Sequence, residues 1–174
     1  MSKLICAVAA IAAMSAPALA QVSGEGGPIR VNADRSEVLE RQHRVVLTDN
    51  VDIMQGTARL RANKVTINYA GSGGTETSGL SGFGDIESME AEGEVYYVTP
   101  ELKATGKRGV YNAKTDTITL TGEVILIRGE DVATGEQLIM RLGEGRTTLD
   151  GGNGRVQMNI NPNQPSGGSG NGTN

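Results

Sequence analysis

The chain has 174 residues, a formal net charge of −4, no tryptophan and aromatic residues at only 3%. An acidic chain so poor in rings lacks both phosphate neutralisation and base stacking, which argues against nucleic-acid binding, and it has no ring faces to stack on sugars. Its one cysteine, Cys6, lies in a leader segment, so cleavage leaves no disulfide and no thiolate chemistry.

Lys3, the apolar run from Leu4 to Met14 and the Ala-x-Ala ending at Ala18 and Ala20 read as a secretory signal peptide over residues 1–20, cut before Gln21. The apolar run is about half of the ~20 residues that span a bilayer. Export points to an oxidising compartment, and loss of Lys3 takes the charge of the mature chain from −4 to −5. Residues 21–27 read as a flexible N-terminus and 28–160 as one β-rich domain. Residues 161–174 (NPNQPSGGSGNGTN) read as a disordered tail with nothing to bury.

From Pro28 onward the hydrophobic period is two. Ile29, Val31 and Ala33 alternate with polar neighbours, as do Ala58, Leu60 and Ala62, and then Val65, Ile67 and Tyr69. Such alternation puts apolar side chains on one face of a sheet. The best helical candidate, Val38 to Gln42, is too short to stand alone. Gly71 to Gly79 reads as a long loop, and it lacks the Lys-Ser/Thr ending of a phosphate-binding loop.

VVLTDNVDIMQG (Val45 to Gly56) and ITLTGEVILIRG (Ile118 to Gly129) are two copies of one pattern. As hairpins they would set Leu47 against Asp52, apolar against polar. As single strands they keep Val45, Leu47, Val51 and Ile53 on one face, and Ile118, Leu120, Val124 and Leu126 on one face. A weaker third copy holds Met89, Ala91, Val95 and Tyr97, with Gly93 at its midpoint. Register favours long strands jointed at Asp49, Gly93 and Gly122 over hairpins. The segments that follow, ARLRANKVTINY and ELKATGKRGVYN, change parity near Lys64 and near Lys107-Arg108, which marks a bulge or turn in each. Stacked repeats of this kind build one continuous core.

Enzymatic chemistry finds no footing. His43, the single histidine, lies in a charged connection with no partner at a suggestive spacing. Glu90, Glu92 and Glu94 alternate away from the apolar face, as a solvated strand does. No zinc or calcium ligand set is present, so neither metal nor cofactor is expected. The apolar face has two readings: an ordinary packed core, or a groove for acyl chains rimmed by Arg30, Arg59, Arg61, Lys64, Lys107 and Arg108.

The segment from Pro28 to Leu142 resembles the OstA-like family of periplasmic lipopolysaccharide transport proteins, the LptA family. The likeness is carried by Pro28-Ile29-Arg30-Val31, by Val45 to Gly56, by Leu60 to Val65 and by Asp116 to Val124. Asp49 stands where the family has Gly, and Gly71 to Gly79 belongs to this sequence alone. The chain also has fewer basic residues than better-known members. The resemblance implies an all-β fold, an open, twisted antiparallel β-jellyroll, that binds lipopolysaccharide through lipid A. It implies head-to-tail self-association, with an inner-membrane LptC-like partner and an outer-membrane LptD-like partner. The lipid-binding lining it points to is Ile29, Val31, Leu47, Val51, Ile53, Val65, Ile67, Met89, Tyr111, Leu120, Val124 and Leu126. Two alternatives stand beside it: an anchored component of the same pathway with its leader uncleaved, and a structural β-repeat with no lipid ligand.

N-terminal sequencing of the exported chain is expected to start at Gln21. A start at Met1 or Ser2 would instead make the leader an anchor.

Overall fold

A computed structural model describes residues 28–71 and 85–161. The leader, the flexible N-terminus, all but the first residue of the Gly71–Gly79 stretch and all but Asn161 of the tail lie outside the described residues.

Among the described residues ten strands form one antiparallel sheet: β1 (Ile29–Asn32), β2 (Arg35–Leu39), β3 (Arg44–Gln55), β4 (Ala58–Tyr69), β5 (Ile86–Val98), β6 (Lys103–Asn112), β7 (Thr117–Arg128), β8 (Asp131–Arg141), β9 (Arg146–Asp150) and β10 (Gln157–Asn159). The strands from β3 to β8 are long and pair in sequence order. Each edge is a broken strand: β1 and β2 both pair with β3, and β9 and β10 both pair with β8. The helical candidate splits. Val38 belongs to β2, and Glu40–Gln42 forms a single 3-10 turn closed by His43 in the left-handed region.

VVLTDNVDIMQG and its two relatives are continuous strands, each jointed near its middle. At the joint two consecutive residues take left-handed backbone: Asp49 and Asn50 (φ 63° and 50°), Gly93 and Glu94 (75° and 48°), Gly122 and Glu123 (83° and 50°). The facing strand supplies one residue opposite each pair, namely Asn63, Lys107 and Glu136, as the register shifts show. Two against one is a bulge, and it bends both strands. Because the odd strands spend two residues at the joint, their inward parity is unchanged: 45, 47, then 51, 53. The even strands spend one, so β4 switches from 58, 60, 62 to 65, 67, 69. This is the parity change seen near Lys64 and Lys107-Arg108.

The joints divide the sheet into two walls. Residues 44–48, 64–69, 86–92, 108–112, 117–121 and 137–141 form the first, joined by β2 and β9. Residues 51–55, 58–62, 95–98, 103–106, 124–128 and 131–135 form the second, joined by β1 and β10. The walls close on each other around one apolar core, in which Val65, Val95, Leu120, Val124 and Leu138 are wholly buried. The edge strands β1/β2 and β9/β10 do not pair with one another, so the roll is open.

Tyr97 on the second wall shows how closely the walls meet. It reaches a small apolar void of about 20 Å³ shared with Met89, Tyr111, Ile118 and Leu120 of the first wall. Burial pushes its phenol up to about 12, with smaller contributions from Asp116 and then Tyr111 across the core.

Glycine at the joint has a steric cause beyond its φ. A Cβ on Gly93 would lie 2.7 Å from the Asn63 side chain, and one on Gly122 would lie 2.9 Å from that of Lys107. The single joint residue of each even strand thus covers the first joint residue of the next odd strand. Asp49 has no such cover. The break between β1 and β2 lies beside it, and Arg35 bonds its carboxylate at 3.2 Å, while the Asp34 N–H donates to its carbonyl at 3.0 Å. That is why an aspartate replaces glycine in the first copy alone.

Gly93→Ala and Gly122→Ala are each expected to lower stability by about 1–3 kcal/mol. Asp49→Gly should change it by less than about 1 kcal/mol, since the exposed Arg35 pair contributes little. Urea midpoints at constant m-value check the contrast. The folded chain keeps the Tyr97 proton to about pH 12, whereas an unfolded phenol releases it near ~10. Between those values the unfolded chain binds fewer protons, so stability falls as pH rises. The wild type should lose about 2–3 kcal/mol more than Tyr97→Phe from pH 10 to 12. Equal alkaline limbs in both proteins would refute this.

Candidate functional site

Among the described residues the roll is packed in its middle and opens at its β1/β2 edge and at the ends of its walls. The larger opening is an apolar groove of about 570 Å³ at the β1/β2 edge, bordered by Ile29, Val31 and Ala33 of the second wall. Ser36, Val38, Val45, Leu47, Ile67, Tyr69 and Ile86 border it from the first wall. Register places them there: Val31 pairs with Ile53 and Val38 with Val45, so all four point inward. The groove forms because β1 has four residues and β2 five. Among the described residues no further rung continues the walls beyond them, and Val31 and Val38 remain 41% and 44% exposed. Exposed aliphatic side chains facing each other across a gap are available to an apolar ligand. His43 packs edge-on against Tyr69, with ring centroids 5.7 Å apart, and so braces one end of the groove.

The twelve residues of the expected lining all face the interior but do not share one surface. Ile29, Val31, Leu47 and Ile67 border the groove. Met89, Tyr111 and Leu120 border the small void at the centre. Val51, Ile53, Val65 and Val124 are at most 1% exposed and fill the core. Leu126 is partly buried and packs against that core. The groove also uses Val45 and Tyr69, which the sequence puts on the apolar face but the expected lining left out, and Val38 and Ile86, which it did not place there. Val38 was hidden in the apparent helical stretch, though its alternation with Ser36 was the available signal.

The expected basic rim needs correction. Arg59 holds Asp52 through two hydrogen bonds of 2.7 and 2.6 Å, and these keep the Asp52 carboxyl below its ordinary pKa against the opposing effect of burial. Lys64 pairs with Glu92 at 3.2 Å, Lys107 with Glu123 at 2.7 Å, and Arg108 with Glu90. Four of the six cations are thus neutralised on the outer surface, and Glu90 and Glu92 are their partners instead of a purely solvated row. Cross-strand register made those pairs.

The second opening is a cleft of about 380 Å³ where the ends of the two walls approach. Its floor includes Ala58, Tyr97 and Met140, and its rim carries Arg128, Arg141, Arg146 and Glu101. These three arginines were not picked out from the sequence, because they come from the ends of three different strands. Among the described residues no cluster of three His, Cys, Asp or Glu side chains is placed to hold a metal ion.

The family described as "LptA/(LptD N-terminal domain) LPS transport protein" matches residues 30–146. An uncharacterised protein of Rhizobium meliloti (strain 1021) is 35% identical over 136 residues, covering 78% of this chain and 72% of that protein. The LPS-assembly protein LptD of Yersinia enterocolitica is 30% identical over 88 residues, or 51% of this chain and 10% of that protein. LptD of Salmonella choleraesuis is 28% identical over 123 residues, or 70% of this chain and 14% of that protein. Among solved structures, LptH of Pseudomonas aeruginosa, described as the LptA homologous periplasmic component of the lipopolysaccharide transport device, superimposes with a TM-score of 0.64. The identity is 23%, and the match covers 82% of this chain and 100% of that one. That likeness is one of fold, an open antiparallel sheet of long strands. By the extent of the family match and the identity to its relatives, the chain belongs to the LptA/LptD N-terminal domain family of lipopolysaccharide transport proteins.

Proposed function

We propose that this chain is a periplasmic carrier that receives the acyl chains of lipid A in the groove at its β1/β2 edge. The carrying observation is the groove itself: about 570 Å³ of open space between aliphatic side chains of two walls, in a fold whose middle is otherwise filled. A purely structural β-repeat would have no use for an unfilled apolar edge. Each methylene moved from water into such a site contributes about 0.8 kcal/mol, so a ten-carbon length contributes on the order of 8 kcal/mol. Exposed ion pairs contribute about 0–1 kcal/mol each. For an anionic lipid and an acidic carrier, affinity therefore comes from the chains, and charge orients the head.

The membership in a lipopolysaccharide transport family supports the same ligand class. In this reading the protein bridges the two membranes. An LptC-like inner-membrane protein stands at one end of the assembly and an LptD-like outer-membrane protein at the other. The edges β1/β2 and β9/β10 each leave a row of backbone groups without a strand partner among the described residues. Such edges suit head-to-tail strand pairing, which extends the groove from copy to copy without closing.

A photo-crosslinking amino acid at Val31 or Val38 in growing cells is expected to capture lipopolysaccharide, and one at Glu123, on the outside of a joint, is not. Adducts absent from both groove positions would sink the carrier reading. Val38→Asp should lower lipopolysaccharide retention at least about tenfold, because an unpaired carboxylate in an apolar site disfavours alkyl contacts. Its exposure in the ligand-free chain should leave the unfolding midpoint nearly unchanged.

A further inference from the structure

We infer that the cleft between the ends of the two walls is an anion site, which takes the phosphate ester of an amphiphile with the adjoining alkyl segment on its floor. The inference rests on the carrier reading for the ligand's general class, but it uses none of the groove residues.

Arg141 and Arg146 are direct cross-strand partners on the β8–β9 hairpin. Like charges placed opposite each other repel and weaken the pair unless an anion lies between them. The acid available to them is Glu144, at 3.8 Å from Arg141 and 3.7 Å from Arg146. Those lengths are well beyond the ~2.7–2.9 Å of a charge-assisted hydrogen bond. One distant carboxylate thus serves two guanidinium groups.

Arg128 reaches the same cleft from the end of β7. Its strand partner is Asp131, whose Oδ1 accepts the Asn161 N–H at 2.9 Å. The neighbouring Glu130 accepts from the Asn161 side chain at 2.6 Å. Among the described residues Arg128 itself makes no ion pair within 4.0 Å. The lining therefore carries three arginines against Glu101, in a chain whose net charge is −4.

The floor gives the second half of the recognition. Leu102 and Leu142, partly buried against the core, line the cleft together with the arginines, backed by the buried Ala58, Tyr97 and Met140. A free anion would leave that apolar lining unused, and a neutral alkyl chain would leave Arg128 without an ion pair and Arg141 and Arg146 sharing the distant Glu144. A planar guanidinium fork matches phosphate oxygens in pairs, which a lysine would not do.

The test uses the full-length exported protein with labelled arginine side chains, titrated by NMR with octyl phosphate, octyl glucoside and inorganic phosphate. Octyl phosphate is expected to move the Nε–H signals of Arg128, Arg141 and Arg146 and not those of the paired Arg59 and Arg108. It should bind at least about tenfold tighter than inorganic phosphate, which lacks the chain. The Arg141→Gln/Arg146→Gln variant should lose about tenfold in octyl phosphate affinity with octyl glucoside unchanged. Glu144→Gln, which removes the competing acid, should gain about two- to fivefold, a result that misfolding does not produce. Shifts spread evenly over all arginines, equal affinity for inorganic phosphate, or no gain in Glu144→Gln would each overturn the inference. Loss of lipid capture at Val31 and Val38 with these arginine shifts retained would instead fail the carrier reading alone.

Discussion

Two residues in left-handed backbone, set against one residue on the neighbouring strand, are the constraint from which the rest of the structure follows. The pairs Asp49-Asn50, Gly93-Glu94 and Gly122-Glu123 recur once per hairpin, each facing a single residue. Without them six long strands would lie as one sheet with an apolar face about twelve residues deep and nothing to cover it. With them every strand turns its second half over its first, and one face becomes both walls of a core. The count matters as much as the bend. Two residues preserve inward parity on β3, β5 and β7, while one reverses it on β4, β6 and β8. A joint one residue longer or shorter would turn half of its strand inside out.

The joints also stack. Asn63 covers Gly93, Lys107 covers Gly122, and Glu136 covers Gly152 in the break between β9 and β10. This diagonal aligns the bends across the sheet, so that the walls fold along one line. At the N-terminal edge no preceding hairpin among the described residues supplies the cover. Asp49 takes the left-handed position there, hydrogen-bonded through Arg35 and the Asp34 backbone, and the Asn50 side chain donates to Asp34 at 2.7 Å. Asp and Asn tolerate this backbone better than most residues with a Cβ.

Much of this was readable before any coordinates. Val45, Leu47, Val51 and Ile53 on one parity favour a long jointed strand over a hairpin at Asp49, and the parity switch near Lys64 marks a bulge or turn there. Both are local signals, contained in a dozen residues. What sequence could not supply depends on partners far apart in the chain. Arg59 with Asp52 is a pair across one turn, but Arg108 with Glu90 and Lys64 with Glu92 are 18 and 28 residues apart, and only register brings them together. The basic rim dissolved for that reason, and the arginines that do gather, Arg128, Arg141 and Arg146, arrive from different strand ends. Val38 was missed as a lining residue because β2, with five residues, is too short for a period to declare itself.

The position of the groove follows from the same repeat. An interior rung has a wall on each side, and its inward residues meet their counterparts on the opposite wall, as Leu120, Val124 and Leu138 do at 0% exposure. Opening a groove there would require cavities, which cost stability in proportion to their volume. An edge rung has a neighbour on one side only. Its inward residues, Val31 and Val38, are left half covered without any strain or void in the protein alone. In the proposed carrier reading, an acyl chain at that edge completes a core that the described residues leave unfinished, and nothing in the packed middle has to be displaced to admit it.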